Sequence, residues 1–152
     1  MDTAIEKLQA QFPEAIVEVY QFRGDTTVTV PADQLVAVCT FLRDDPDLAF
    51  KYLSCVVGID YYPRSPRFAA VYQLYSHKNK KRFALKAFCP NDDAPVLPSV
   101  VPVWSTADWH EREAYDLVGI KFRGHPDLRR ILTPPECEGY HPLRKDYPQE
   151  GY

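Results

Sequence analysis

An α+β fold, with a mainly antiparallel sheet and helices on one face, is what this sequence predicts. Three observations point to it. Apolar residues recur at helical spacing in separate stretches, blocks of β-branched and aromatic residues lie between those stretches, and all period is lost after Gly119. Strands grouped into hairpins, with helices between and after them, imply a sheet covered on one side. The expected order is α-β-β-α-β-β-β-α as a single domain over residues 1–118, followed by an extended, proline-rich arm over 119–152.

The opening residues place Ile5, Leu8 and Phe12 on one helical face, and Pro13 stops that helix. Ile16 to Phe22 reads as a strand, Arg23-Gly24-Asp25 as a turn, and Thr26 to Val30 as the returning strand. Pro31 is compatible with a first helical turn, since it lacks only an N–H that is unpaired there anyway. Leu35, Val38 and Leu42 then form a stripe that ends near Asp44-Asp45-Pro46. Phe50 to Tyr62, Phe68 to Ser76 and Arg82 to Phe88 read as three strands, the last two joined by the basic, solvated tip His77-Lys78-Asn79-Lys80-Lys81. Asn91 to Pro98 reads as a loop. A helix follows within Val100 to Val118, capped at Thr106 or Asp108.

Beyond Gly119, Pro126, Pro134, Pro135, Pro142 and Pro148 remove backbone donors and disfavour helix. Yet Phe122, Leu128, Ile131, Leu132, Tyr140, Leu143 and Tyr147 remain, and they need a surface to cover. A proline-stiffened segment loses less entropy when it docks, so a wrapping role is expected.

Composition narrows the function. The 152 residues are 45% apolar and 26% charged, ordinary for a globular protein, and carry a net charge of −3. Nucleic-acid binding is not expected, because the arginines near the C-terminus are offset by Asp127, Glu136, Glu138, Asp146 and Glu150. Ten tyrosines suit surfaces that become buried against another protein. Cys39, Cys55, Cys89 and Cys137 are widely spaced and read as reduced, mostly buried thiols. The first residues lack a signal-peptide pattern, and no apolar run approaches the roughly 18 residues of a membrane span. Any membrane association is therefore expected to be indirect.

Trp109-His110-Glu111-Arg112-Glu113-Ala114-Tyr115-Asp116 is the densest chemical segment. On a helix, Ala114, Leu117 and Val118 share one side, and Trp109, Arg112, Glu113 and Asp116 the other. Arg112 and Asp116 are spaced to pair, and the polar side is either solvated or buried by a partner. His110-Glu111 opens like a zinc-hydrolase motif, but Ala114 stands where the second histidine is required. Cys137 and His141, with His125, have ligand-like spacing but no recurring ligand pair, so no metal is expected. No nucleophile elbow and no nucleotide-binding glycine motif is present. Two alternatives remain: an enzyme using His110 and Glu111 as acid and base, and an RNA-binding adaptor.

The run Glu111-Arg112-Glu113, Asp116-Leu117, Gly119-Ile120 and Phe122, then His125-Pro126, Leu128 and Arg130-Ile131-Leu132, resembles the signature of the C-subunit family of NADH–quinone oxidoreductase, respiratory complex I. The closing Pro142-Leu143-Arg144-Lys145-Asp146-Tyr147-Pro148 is similar to that family's final motif. The resemblance implies a non-catalytic component of the peripheral arm, on the cytoplasmic side of the membrane. Electrons there pass from NADH through FMN and iron–sulfur clusters held by other subunits to quinone, coupled to proton translocation. It implies no cofactor on this chain. The partner is mainly the D-subunit of complex I, with the B- and I-subunits nearby. Trp109, Glu111, Arg112, Glu113, Asp116, His125, Leu128, Arg129, Arg130, Leu132, Pro142, Leu143, Arg144, Lys145, Asp146 and Tyr147 become interface or fold-locking residues, and none becomes catalytic. Related subunits occur in membrane-bound hydrogenases and ferredoxin-fed complexes. The chain runs only four residues past Pro148, so it is expected to be neither a form fused to the D-subunit nor a long-tailed variant.

Overall fold

The computed structural model describes residues 3–149; the chain's final residues, on which the short-tail expectation rests, lie outside them. Helix α1 (Thr3–Gln11) leads to the hairpin of β1 (Glu18–Phe22) and β2 (Asp25–Val30), then to α2 (Leu35–Asp44). Strands β3 (Tyr52–Asp60), β4 (Phe68–Ser76) and β5 (Lys81–Phe88) follow, then β6 (Val96–Pro98), α3 (Ala107–Val118) and β7 (Lys121–Arg123). The fold is α+β, in the expected order with two short strands added.

Five strands form one sheet in the order β1-β2-β5-β4-β3. All its pairings are antiparallel except β2 with β5, which run parallel because α2, β3 and β4 intervene between them. Register explains which face is buried. Val28, Leu85, Tyr72 and Val56 stand opposite one another across four strands, and all four lie in the core with Leu8 of α1 and Leu35, Val38 and Leu42 of α2. One residue along, Thr29, Lys86, Val71 and Val57 form a row on the opposite face, with Val57 exposed and Lys86 and Val71 half-buried. Strand period two and helix period 3.6 thus meet in one apolar layer. Each fully buried leucine there contributes roughly 1.5–3 kcal/mol.

A row of small side chains seats the third helix. Val30, Ala87, Ala70 and Gly58 align across the sheet. A Cβ added at Gly58 would lie 3.2 Å from both Ala114 Cβ and Val118 Cγ2, so α3 rests almost on the β3 backbone.

Several sequence expectations need correction. Asn91 to Pro98 is not all loop, because Val96–Pro98 pairs in parallel with Lys121–Arg123. Such short strands leave no period to read. The period lost after Gly119 hides two core residues, Ile120 and Phe122. Pro31 precedes α2 in a turn closed by Gln34 N–H on its carbonyl, and is not in the helix. The basic tip is docked, since Asn79 donates to the carbonyls of Asp47 and Leu48, and Lys78 to that of Pro46. Cys39 and Cys89 are buried, Cys55 and Cys137 half-buried, and all four are free thiols.

Gly58→Val is expected to lift α3 from the sheet and lose about 1–3 kcal/mol, read as a fall of about 2–4 °C in Tm per kcal/mol. An unchanged thermal melt would show that the glycine does not set this contact.

Candidate functional site

Helix α3 buries Glu111, Arg112 and Asp116. A buried charge is tolerated only when its hydrogen bonds are met, so each must have partners nearby. Their partners come from the segment before the helix and from the arm after it.

Glu111 accepts the Ser99 hydroxyl at 2.6 Å and the Val100 N–H at 2.7 Å, tying that loop to the helix. Burial pushes its pKa up to about 7, against the opposing pull of those two donors, and the nearby Asp108 carboxylate adds to the rise. His125 lies beside it, 4.0 Å from Glu111 Oε2 and 3.2 Å from Asp108 Oδ1. The Nδ1 atom of His125 accepts the Asp127 N–H at 3.0 Å, so the hydrogen sits on Nε2 and is donated to the Asp108 carbonyl at 3.1 Å.

Arg112 and Asp116 do not pair with each other as expected; both reach the arm. Arg112 donates through Nε and Nη2 to the carbonyls of Arg129 and Arg130, each at 3.1 Å. Asp116 accepts three successive N–H groups, from Ile131 at 3.0 Å, Leu132 at 2.7 Å and Thr133 at 2.9 Å. The Thr133 hydroxyl and Arg130 Nη1 complete its shell. Burial alone would raise the pKa of Asp116. The hydroxyl and the three N–H groups outweigh it and hold the carboxyl well below its usual range. Arg130 also donates to the Tyr140 carbonyl at 3.0 Å, which closes the loop between them.

The final motif caps the same helix. Gly119 adopts φ +84° and ends α3 in the left-handed conformation. A side chain there would strike Arg144 and His141. Leu143 N–H donates to the Leu117 carbonyl at 2.9 Å, Arg144 Nε to that of Val118 at 2.7 Å, and His141 Nδ1 to that of Asp116 at 2.9 Å. These satisfy carbonyls a helix end leaves open. Further on, Lys145 N–H donates to Asp60 at 2.9 Å, while Arg67 grips Asp60 through two bonds of 2.8 Å and also reaches Asp146 at 2.9 Å. Burial opposes ionisation of Asp60, but Arg67 and the N–H groups of Lys145 and Tyr62 prevail and hold its pKa at about 2.

The buried polar groups that fix the arm are therefore met within the chain, while several of its apolar side chains face outward. Leu132 is 63% exposed and Leu143 60%, with Tyr140 and Trp109 also exposed. Arg129 pairs at the surface with Asp127, Glu113 points outward, and Leu128 packs half-buried against the core. Pro142 and Tyr147 are half-buried, and Lys145 is exposed. The two residues weighed as an acid–base pair do not share a cleft. Glu111 is enclosed, whereas His110 lines an open groove with Cys55, Val57, Glu113 and Leu143. Among the described residues, no three histidine, cysteine or acidic side chains are grouped to hold a metal ion.

Residues 28–152, which include α3 and the whole arm, match the family described as respiratory-chain NADH dehydrogenase, 30 Kd subunit. The chain belongs to this family. Similar members include the NADH-quinone oxidoreductase C-subunit from Roseiflexus sp. strain RS-1, 47% identical over 96% of this chain and 83% of that protein. The second such C-subunit from Rhizobium meliloti is 48% identical over 93% of this chain and 76% of that protein. The C-subunit from Burkholderia multivorans is 45% identical over 100% of this chain and 78% of that protein. The fold is also similar to a chain in the structure of the membrane-bound sulfane sulfur reductase, an archaeal respiratory membrane complex. That match has a TM-score of 0.77 and 26% identity, over 95% of this chain and 84% of that one.

For this member of the C-subunit family, sequence reasoning missed Ser99, Asp60 and Arg67. Asp60 and Lys145 lie 85 positions apart, and no local pattern announces such a contact.

Between about pH 4.3, the unperturbed glutamate value, and the folded pKa of about 7, the folded chain holds a proton on Glu111 that the unfolded chain releases. Stability drawn from this residue therefore falls as pH rises through that window. Glu111→Gln removes the slope. Urea unfolding from about pH 5 to about pH 8 is expected to show the variant gaining on the wild type. A pH-independent difference would exclude a raised Glu111 pKa.

Proposed function

We propose that this chain is a non-catalytic structural component of the peripheral arm of an NADH–quinone oxidoreductase, whose C-terminal arm docks on neighbouring subunits. In this reading the D-subunit is the main partner, with the B- and I-subunits close by. FMN and the iron–sulfur clusters belong to other subunits, and the chain sits on the cytoplasmic side, held at the membrane by the complex. Among the described residues, no helix is long and apolar enough to cross a membrane.

The observation that carries the reading is the division of labour within the arm. Buried charges on α3 fix its backbone, which leaves Leu132, Tyr140 and Leu143 exposed along it and Trp109 beside it. Apolar side chains presented on a rigid backbone lose little entropy on burial, which is what a permanent interface uses. A second host is favoured by the likeness to a chain of the sulfane sulfur reductase complex. The equivalent component of a membrane-bound hydrogenase or ferredoxin-dependent complex would present the same surface, and the partners that co-purify distinguish the hosts.

Leu132→Asp with Leu143→Asp should leave the melting of the isolated chain within about 0.5 kcal/mol. Each change should weaken assembly by roughly 2 kcal/mol or more, as at interface hot spots. Native gels of the complex and membrane NADH:quinone activity report the loss. Assembly at wild-type yield would exclude the arm as the docking element. The purified chain is expected to show neither stoichiometric iron nor a flavin spectrum, and a cluster or flavin on it would overturn the non-catalytic reading.

A further inference from the structure

The sheet has a second end, remote from the arm, whose groups the proposed docking does not use. Because β2 and β5 run parallel and the other neighbours antiparallel, the β1–β2 turn, the β4–β5 turn and the starts of β3 and β5 all meet there. The arm is anchored at the other end, through Asp60 at the close of β3. At about 3.4 Å per residue, that strand separates the two ends by roughly 27 Å.

This end concentrates positive charge in a chain whose net charge is −3. Arg23, Lys51, Lys80, Lys81 and Arg82 are all exposed, and none has an ion-pair partner among the described residues. The nearby acids are mostly taken: Asp45 and Asp47 by Lys7, and Asp44 by Arg43. Asp25 is the exception.

Strand β1 beside it is unprotected. All five of its residues are exposed. Val19 stands opposite the core residue Val28 and is still exposed, so the helical layer stops short of β1. The outer edge of β1 pairs with no strand among the described residues, and its register with β2 has no bulge. Edge strands are usually guarded by charge, proline, bulges or a covering element, and among the described residues β1 has only the charge of Glu18. Tyr20 is 57% exposed and Phe22 56%, their rings stacked with centroids 6.3 Å apart, and the Arg23 guanidinium lies 5.1 Å from the Phe22 centroid. A groove of about 420 Å³ opens between these rings and Thr27, Gln73 and Arg82.

We infer that β1 and this groove receive an acidic, extended segment of a partner protein, added as a further strand on the free edge of β1, with Arg23 beside it and Arg82, two strands inward across the groove, attracting its carboxylates. The unpaired row of backbone N–H and C=O groups matches another extended backbone. Arg23 and Arg82 match carboxylates, with Lys80 and Lys81 adding to the positive field of this end, and the groove beside Tyr20 and Phe22 takes one apolar side chain of the incoming strand. A polyphosphate backbone or a lipid headgroup offers no alternating N–H and C=O row to pair with the β1 edge, which is what separates a peptide from these other anions. This surface is independent of the arm, so its failure would leave the arm docking standing.

The test uses the full chain and four probes. These are a fluorescent peptide of about eight residues alternating glutamate with valine and tyrosine, its lysine-for-glutamate counterpart, oligouridine RNA, and phosphatidylcholine–phosphatidylglycerol vesicles. The acidic peptide is expected to bind and to shift the amide resonances of residues 18–22. Its binding should weaken as added salt shortens the Debye length from about 10 Å to about 3 Å. Arg23→Glu with Arg82→Glu should weaken it roughly tenfold or more, and Tyr20→Ser with Phe22→Ser should remove it without touching a charge. The inference is overturned if the lysine peptide binds equally well, or if RNA or vesicles bind more tightly than the acidic peptide. Resonance shifts at α3 and the arm in place of β1 would overturn it too.

Discussion

The carboxylate of Asp116 is the constraint on which the rest of this structure depends. It is enclosed and ionised, a state that survives only because three consecutive N–H groups, a hydroxyl and a guanidinium surround it. Consecutive donors can converge on one acceptor only if the backbone from Ile131 to Thr133 curves around it. A single helix residue therefore dictates the path of the arm. Arg112, one turn earlier, takes the carbonyls of Arg129 and Arg130, so the same helix satisfies both polarities of the passing backbone. Leu143 and Arg144 then close the C-terminal end of α3. The arm supplies hydrogen bonds that the helix would otherwise lack.

This changes what the arm is. A proline-rich tail with scattered apolar and charged residues reads as a strap whose greasy and charged groups both await another polypeptide. In the structure Arg130, Arg144 and Asp146 are already engaged within the chain, while Leu132 and Leu143 remain outward. Such a segment is organised before any partner arrives. The ordering entropy has been offset within the chain, by α3 and by the Asp60–Arg67 pair, and so does not oppose docking.

The legible parts of the sequence were those governed by local period. The stripe Leu35, Val38, Leu42 and the blocks of β-branched and aromatic residues from Phe50 to Tyr62 and Phe68 to Ser76 announce a helix and strands, because each residue's environment follows from its neighbours a few positions away. The family signature was legible for a different reason, since the spacing of Glu111, Asp116, His125 and Arg130 is itself the pattern. What period could not give was the direction of the buried charges. On a helical wheel, Arg112 and Asp116 look like an exposed pair. Their true partners are carbonyls and N–H groups of residues 15 to 18 positions on, and backbone groups carry no mark in a sequence. The pairing of β6 with β7 was hidden similarly, being three residues long on each side and joining positions 25 apart in the chain.

Why should polar groups fix the arm when apolar packing would contribute more stability? A greasy segment laid on a greasy surface tolerates slippage, because the gain depends on area and not on direction. Asp116 and Asp60 tolerate none. A shift of one residue would withdraw an N–H from each carboxylate and strand an ion where water does not reach, a loss of several kcal/mol apiece. The network thus specifies one register, and with it the placing of Leu132 and Leu143 relative to the sheet. The proposed docking, which rests on few apolar side chains, needs that fixed placing more than it needs added stability in the isolated chain. The edge strand β1 is in the opposite state, its outer side paired with no strand among the described residues.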